Sequence, residues 1–169
     1  MKTLLTILLL TSLIACNNSK NILLKTTNKQ GNDGYTNLKG EIIIPYGKYS
    51  ACFTDTFKKY AIVAKPNLGF VAINRDEKIL FRIFPFDNGP DYPSEGLFRI
   101  VKDGEIGYAD LNFSIKIQPQ YGCAFPFKNG IAKVSKECKT VSVEPDGEHQ
   151  VWVSDNWFYI NKSGIPVKN

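Results

Sequence analysis

Gly107-Tyr108-Ala109-Asp110, then Ser114-Ile115-Lys116-Ile117-Gln118-Pro119 and Tyr121, then Phe127-Lys128-Asn129-Gly130-Ile131-Ala132-Lys133-Val134, is the stretch that decides the fold. Its apolar residues come in short β-branched and aromatic runs separated by turn residues, which is the signature of strands. Just upstream, Phe98-Arg99-Ile100-Val101-Lys102 and Glu105-Ile106-Gly107-Tyr108 flank Asp103-Gly104. Asp-Gly supplies the positive φ angles of a two-residue hairpin turn. Outside the N-terminal segment, no long apolar period of 3.6 residues occurs, so helices are not expected.

Working outward, the same phrase recurs. Gly34-Tyr35-Thr36-Asn37, Gly69-Phe70-Val71-Ala72 and Trp157-Phe158-Tyr159-Ile160 open in the manner of Gly107-Tyr108. Gly40-Glu41-Ile42-Ile43-Ile44-Pro45 parallels Ser114 to Pro119, and Lys78-Ile79-Leu80-Phe81 with Pro85 fills that slot in the second unit. Pro93 to Val101 matches Phe127 to Val134 as an aromatic loop, a glycine and an apolar strand. Turns recur at Asn37–Gly40, Arg75–Lys78 and Asn161–Gly164, so each unit reads as a small antiparallel meander. One such unit cannot cover its own apolar face, and neighbours must stack. The expected fold is all-β, an open curved array of meander and hairpin repeats, with units at about 34–68, 69–106, 107–156 and 157–169. Phe70, Phe98, Tyr108, Phe127 and Phe158 are expected in a shared core, together with Trp157. The long third unit accommodates a hairpin from about Lys139 to Asp155, where Val141, Val143, Val151 and Val153 alternate with polar residues about Pro145-Asp146-Gly147.

This grammar resembles the WG repeat family, whose unit runs approximately Trp-Gly-Tyr-Ile-Asp-x-x-Gly-x-Ile-Val-Ile-Pro-x-x-Tyr, then Phe-x-x-Gly-x-Ala-x-Val. The resemblance covers Gly34 to the C-terminus and is best from Gly107 to Val134. The tryptophan before each glycine is replaced by Asp33, Leu68 and Ile106, and in the fourth unit Trp157 is kept while the glycine is Phe158.

Residues 1–15 carry Lys2 and an apolar run from Leu4 to Ile14. The run is shorter than the roughly 20 residues a spanning helix needs and has the length of a signal-peptide core. Leu13-Ile14-Ala15-Cys16 resembles a bacterial lipobox, which implies cleavage after Ala15 and lipidation of Cys16 through a thioether. Two or three acyl chains, palmitate among them, would then hold the protein to a membrane, since each buried methylene contributes about 0.8 kcal/mol. Asn17 in place of Asp favours the outer membrane. Residues 16–33 read as the lipidated cysteine and a polar tether, within which Ile22, Leu23 and Leu24 are apolar enough for a short strand.

The formal charge is +5 over 169 residues, but the lysines are scattered, without the dense stripe of a nucleic-acid binder. Cys52, Cys123 and Cys138 remain besides Cys16. They have no CxxC spacing, and an exported compartment permits disulfides; a Cys123–Cys138 bridge is one pairing among several. No phosphate-binding glycine loop, GxSxG elbow or HExxH pair occurs, so no catalytic residue, metal ligand or cofactor is assigned. His149, alone of its type, and the acidic Glu144, Asp146 and Glu148 fall on the hairpin tip. The long loop Phe84 to Pro93 carries aromatics and three prolines. Phe84, Phe86 and Tyr92 from it, with Trp152 from the hairpin, are the candidate partner-binding residues. The expected function is a lipid-anchored, non-enzymatic envelope module that binds a protein or glycan. The alternative is an envelope hydrolase or carbohydrate-active enzyme using Asp87, Asp91 and Glu95.

Overall fold

The computed structural model describes residues 22–143 and 150–168. The chain there is all-β. In order it forms β1 (Leu23–Thr27), β2 (Asp33–Asn37), β3 (Ile42–Ile44), the short β4 (Ala51–Cys52) and β5 (Thr56–Phe57), then β6 (Tyr60–Lys65), β7 (Gly69–Asn74) and β8 (Ile79–Ile83). The miniature strands β9 (Pro85–Phe86) and β10 (Gly89–Pro90) precede β11 (Leu97–Lys102), β12 (Glu105–Asp110) and β13 (Ile115–Tyr121). Last come β14 (Cys123–Ala124), β15 (Ile131–Ser135), β16 (Lys139–Ser142), β17 (Gln150–Val153), β18 (Phe158–Asn161) and β19 (Pro166–Val167).

Four three-stranded meanders emerge: β1-β2-β3, β6-β7-β8, β11-β12-β13 and β15-β18-β19. Each middle strand ends on a residue whose Oδ1 accepts the backbone N–H groups two and four positions on. Asn37 takes those of Lys39 and Glu41, Asn74 those of Asp76 and Lys78, Asp110 those of Asn112 and Ser114, and Asn161 those of Ser163 and Ile165. Such a side chain replaces turn hydrogen bonds the backbone cannot make for itself. The fourfold recurrence of this turn is the physical content of the repeat.

The turn also corrects the repeat alignment. Counting back from Asn37 and Asp110 reaches Gly34 and Gly107, but counting back from Asn74 reaches Val71, not Gly69. Gly69 instead closes the β6–β7 loop with φ +73°, after Asn67 at φ 63°. Gly107 sits at a bulge where the β12–β13 register shifts, and a Cβ there would lie 2.4 Å from the Ile117 carbonyl oxygen. The two glycines serve different purposes: one a turn, the other a close approach of backbones. The meander boundaries shift accordingly, because the apolar strand that closes each sequence unit is the first strand of the next meander.

Within residues 16–33, read as the lipidated cysteine and tether, the short strand allowed at Ile22 to Leu24 is present as β1, Leu23–Thr27. Leu23–Thr27 pairs along its length with β2, Leu23↔Asn37 to Thr27↔Asp33. Leu23 is buried, and the strand is needed to complete the first meander. The predicted hairpin forms: Lys139↔Val153 through Ser142↔Gln150 pair as a separate two-stranded sheet. Its Pro145-Asp146-Gly147 turn lies outside the described residues, as do residues 1–16 with Cys16, the acidic tip and His149.

The second and third meanders fuse into one seven-stranded sheet through β8 and β11, Ile83↔Ile100 and Arg82↔Val101. Alternation along these strands sends Val63, Val71 and Ile73 into one core with Tyr35 and Phe57. Ala72, Ile83, Phe98 and Ile100 enter a second, and Tyr108, Phe127, Val134 and Ile160 a third. Each fully buried side chain of this size contributes roughly 1.5–3 kcal/mol. Of the expected core aromatics, Phe98, Tyr108 and Phe127 are buried, whereas Phe70, Phe158 and Trp157 are only half-buried at the margins. Cys123 and Cys138 form a disulfide, and the thiol of buried Cys52 is free. Closing a 15-residue loop by a disulfide is worth about 3 kcal/mol. No described sheet closes into a barrel, and no described helix is long and apolar enough to cross a membrane.

Candidate functional site

The loop after β8 is built around a buried ion pair. Asp91 N–H donates to the Phe84 carbonyl at 2.9 Å, which draws the loop's two ends together. Within it, Phe86↔Gly89 and Pro85↔Pro90 pair as a tiny ladder turned at Asp87, φ 52°. Asp91 Oδ2 accepts the backbone N–H of Arg99 at 2.8 Å and its Nε–H at 3.0 Å. Asp91 Oδ1 accepts Arg99 Nη2–H, and Arg99 Nη1–H reaches the Ala124 carbonyl at 3.2 Å. Both side chains are 3% exposed. A bidentate, fully hydrogen-bonded pair is the form in which buried charge is tolerated.

The guanidinium faces are covered as well. Its carbon lies 4.2 Å from the Phe84 ring centre and 5.5 Å from that of Phe86. Stacking on a guanidinium holds aromatic rings at a fixed height. Phe86 meets Tyr92 edge-on at 6.5 Å, and both are exposed, Tyr92 at 67%. On the other side Phe84 meets Trp152 at 5.7 Å, Trp152 meets Phe125 at 5.4 Å, and Phe125 meets Trp157 at 5.6 Å. Lys133 Nζ caps Trp157 at 4.7 Å. The four aromatics singled out in the sequence therefore form two pairs, Phe86–Tyr92 and Phe84–Trp152, joined into one strip through the Arg99 guanidinium. Trp152 is half-buried rather than fully displayed, because it props the hairpin against the body.

At Phe125 the strip opens into a groove of about 660 Å³ whose lining includes Phe125, Lys128, Asn129, Lys133 and Tyr159. A second hollow, about 650 Å³, runs along the hairpin base past Cys138, Lys139, Ser154 and Asp155. Both fall in the size range of small-ligand sites.

Phe125, Trp157, Lys133 and Arg99 were not among the sequence candidates. A signal for Phe125 exists in the repeat. The N–H of Phe53, Phe84 and Phe125 each donates to the adjacent first strand, at Ile62, Arg99 and Lys133. All three occupy one repeat position, and naming Phe84 implies the other two.

The carboxylates considered for catalysis are differently placed. Asp91 is a buried partner of Arg99, not a cleft carboxylate. Glu95 pairs with Lys162 Nζ at 3.1 Å and accepts Gly130 N–H at 3.0 Å; these bonds hold its carboxyl below the usual range. Asp87 is exposed on the turn. Among the described residues no cluster of three His, Cys, Asp or Glu side chains is placed to hold a metal ion.

No curated protein and no solved structure matches the chain. The family model of the WG containing repeat matches residues 106–137, a stretch that holds the bulge at Gly107 and strands β13, β14 and β15, and this part of the chain is similar to a WG-containing β repeat.

Proposed function

We propose that this chain is a non-enzymatic binding module of the cell envelope, lipid-anchored through Cys16 and presenting its aromatic strip to a protein or glycan partner. One observation carries the reading: the pairs Phe84–Trp152 and Phe86–Tyr92, from two separated segments, are brought into one strip by Arg99, which stacks against Phe84 and Phe86. Rigid aromatics bury area at low entropic cost, and Tyr and Trp dominate binding hot spots. The Cys123–Cys138 disulfide suits an exported protein. The lipobox-like Leu13-Ile14-Ala15-Cys16 supports the anchor, and Asn17 in place of Asp favours the outer membrane as destination. Envelope crosslinking and pull-down test the module. A defined partner should be recovered with the wild type and lost with Phe86→Ala/Tyr92→Ala; recovery of bulk lipid and chance neighbours alone rejects the reading. Mass spectrometry of the mature protein, with Cys16→Ser as control, tests the anchor separately, and an unmodified N-terminus in the wild type rejects that part.

A further inference from the structure

We infer that the groove at the end of the strip takes a segment of an acidic polysaccharide, a polymer of uronic-acid type. This rests on the binding-module reading and names the ligand class. The groove's floor is Phe127, buried and edge-on to Tyr108 at 4.8 Å. Phe125 and Tyr159 supply aromatic walls, and Lys128, Lys133 and Asn129 the polar rim. Among the described residues no carboxylate lines it. The nearby Glu95 is occupied by Lys162 and Gly130. Neither Lys128 nor Lys133 has a carboxylate partner among the described residues. Two ammonium groups on the rim, with no described carboxylate in the lining, form a charge pattern complementary to an anion.

The rest of the geometry separates a sugar from other anions. A pyranose ring presents an apolar C–H face and a polar edge, which match ring walls beneath an ammonium and amide rim. A peptide that adds a strand needs a free edge, but β15 is bonded by β18 on one side and by β14, Phe125 and Lys128 on the other. A phosphate-specific site would favour the bidentate fork of arginine, and the groove offers lysine only. It is also continuous with the strip through Phe125, so a chain longer than the groove has somewhere to run.

The chain's two tryptophans, Trp152 and Trp157, both lie in the strip, so intrinsic fluorescence reports on the site. The full-length chain in detergent micelles is titrated with polygalacturonate, neutral dextran, inorganic phosphate and phosphatidylglycerol vesicles. Polygalacturonate should give a saturable change that weakens with added salt. Lys128→Gln/Lys133→Gln should weaken it about tenfold. Phe125→Ala should weaken it too, while Lys58→Gln/Lys59→Gln, in a hollow elsewhere, leaves it unchanged. The lysine variants must melt like the wild type. Equal binding of dextran, insensitive to the lysine variants, overturns the acidic-sugar inference while the strip stands as a binding surface. So does saturation by phosphate or vesicles as tight as by the polymer. Absence of any polymer binding, with a crosslinked partner still lost in Phe86→Ala/Tyr92→Ala, overturns this inference alone. Absence of both removes the binding-module reading as well.

Discussion

Gly107→Ala should be among the most damaging single substitutions of this chain, although it adds only a methyl group. The new Cβ would lie 2.4 Å from the Ile117 carbonyl oxygen, 2.5 Å from Pro119 N and 2.8 Å from Gln118 C. All three are backbone atoms of β13, which no rotamer change can move. The contacts fall roughly 1 Å short of the ~3.5 Å at which such atoms attract. Relief requires β13 to withdraw from β12 where the ladder already steps, between Ile106↔Tyr121 and Tyr108↔Ile117. Overpacking of this kind costs about 1–3 kcal/mol, and each ladder hydrogen bond lost adds about 1 kcal/mol. With one such bond lost the sum is about 2–4 kcal/mol, or a fall of roughly 6–12 °C in Tm for a domain of this size. Gly69→Ala is the control. Its position has nothing within 4 Å and only the cost of φ +73°, about 1–2 kcal/mol. Thermal melts followed by far-ultraviolet circular dichroism, with the disulfide kept oxidised, measure both. A Gly107→Ala Tm within about 3 °C of wild type, or a Gly69→Ala loss as large as that of Gly107→Ala, would refute the assignment of Gly107 to the bulge and Gly69 to the turn.

Two further outcomes follow from the buried and half-buried charges. Asp91→Ala leaves the Arg99 guanidinium buried without its carboxylate, and urea titration should show a loss of about 3–5 kcal/mol; Asp91→Leu/Arg99→Met should recover much of it, and a double variant as unstable as the single one contradicts an orphaned charge as the source of the loss. Burial pushes the Glu77 carboxyl up, but hydrogen bonds from Lys48 Nζ and Tyr49 Oη, both 2.7 Å, outweigh it and leave its pKa lowered from 4.5. Because the folded pKa is the lower one, the stabilisation is whole above about pH 4.5 and fades as pH falls through the folded value. Glu77→Gln should therefore cost up to about 1 kcal/mol at neutral pH and flatten the acid side of the stability profile below pH 4.5; an unchanged profile contradicts this.

Local chemistry wrote much of the fold into the chain. Asp103-Gly104, both at positive φ, turns the β11–β12 hairpin as the dipeptide alone requires. Period-two alternation marked the arms of β16 and β17, where Val141 pairs with Val151 and Lys139 with Val153, and the phrase from Gly107 to Val134 marked the repeat. These signals are legible because φ preferences and side-chain alternation act between neighbours along the chain. What tertiary structure decided concerns partners far apart in sequence. Gly69 and Gly107 look alike until β13 is seen pressing on only the second, and the short apolar run at Ile22 to Leu24 has no assigned neighbour until β2 and β5 pair with Leu23–Thr27. Asp91 reads as a surface carboxylate until Arg99 takes it inside, and Phe84, Phe125 and Trp152 are unrelated aromatics until packing of the third and fourth meanders brings them edge to edge. Burial and nonlocal pairing are properties of the assembled surface, so no window of sequence contains them.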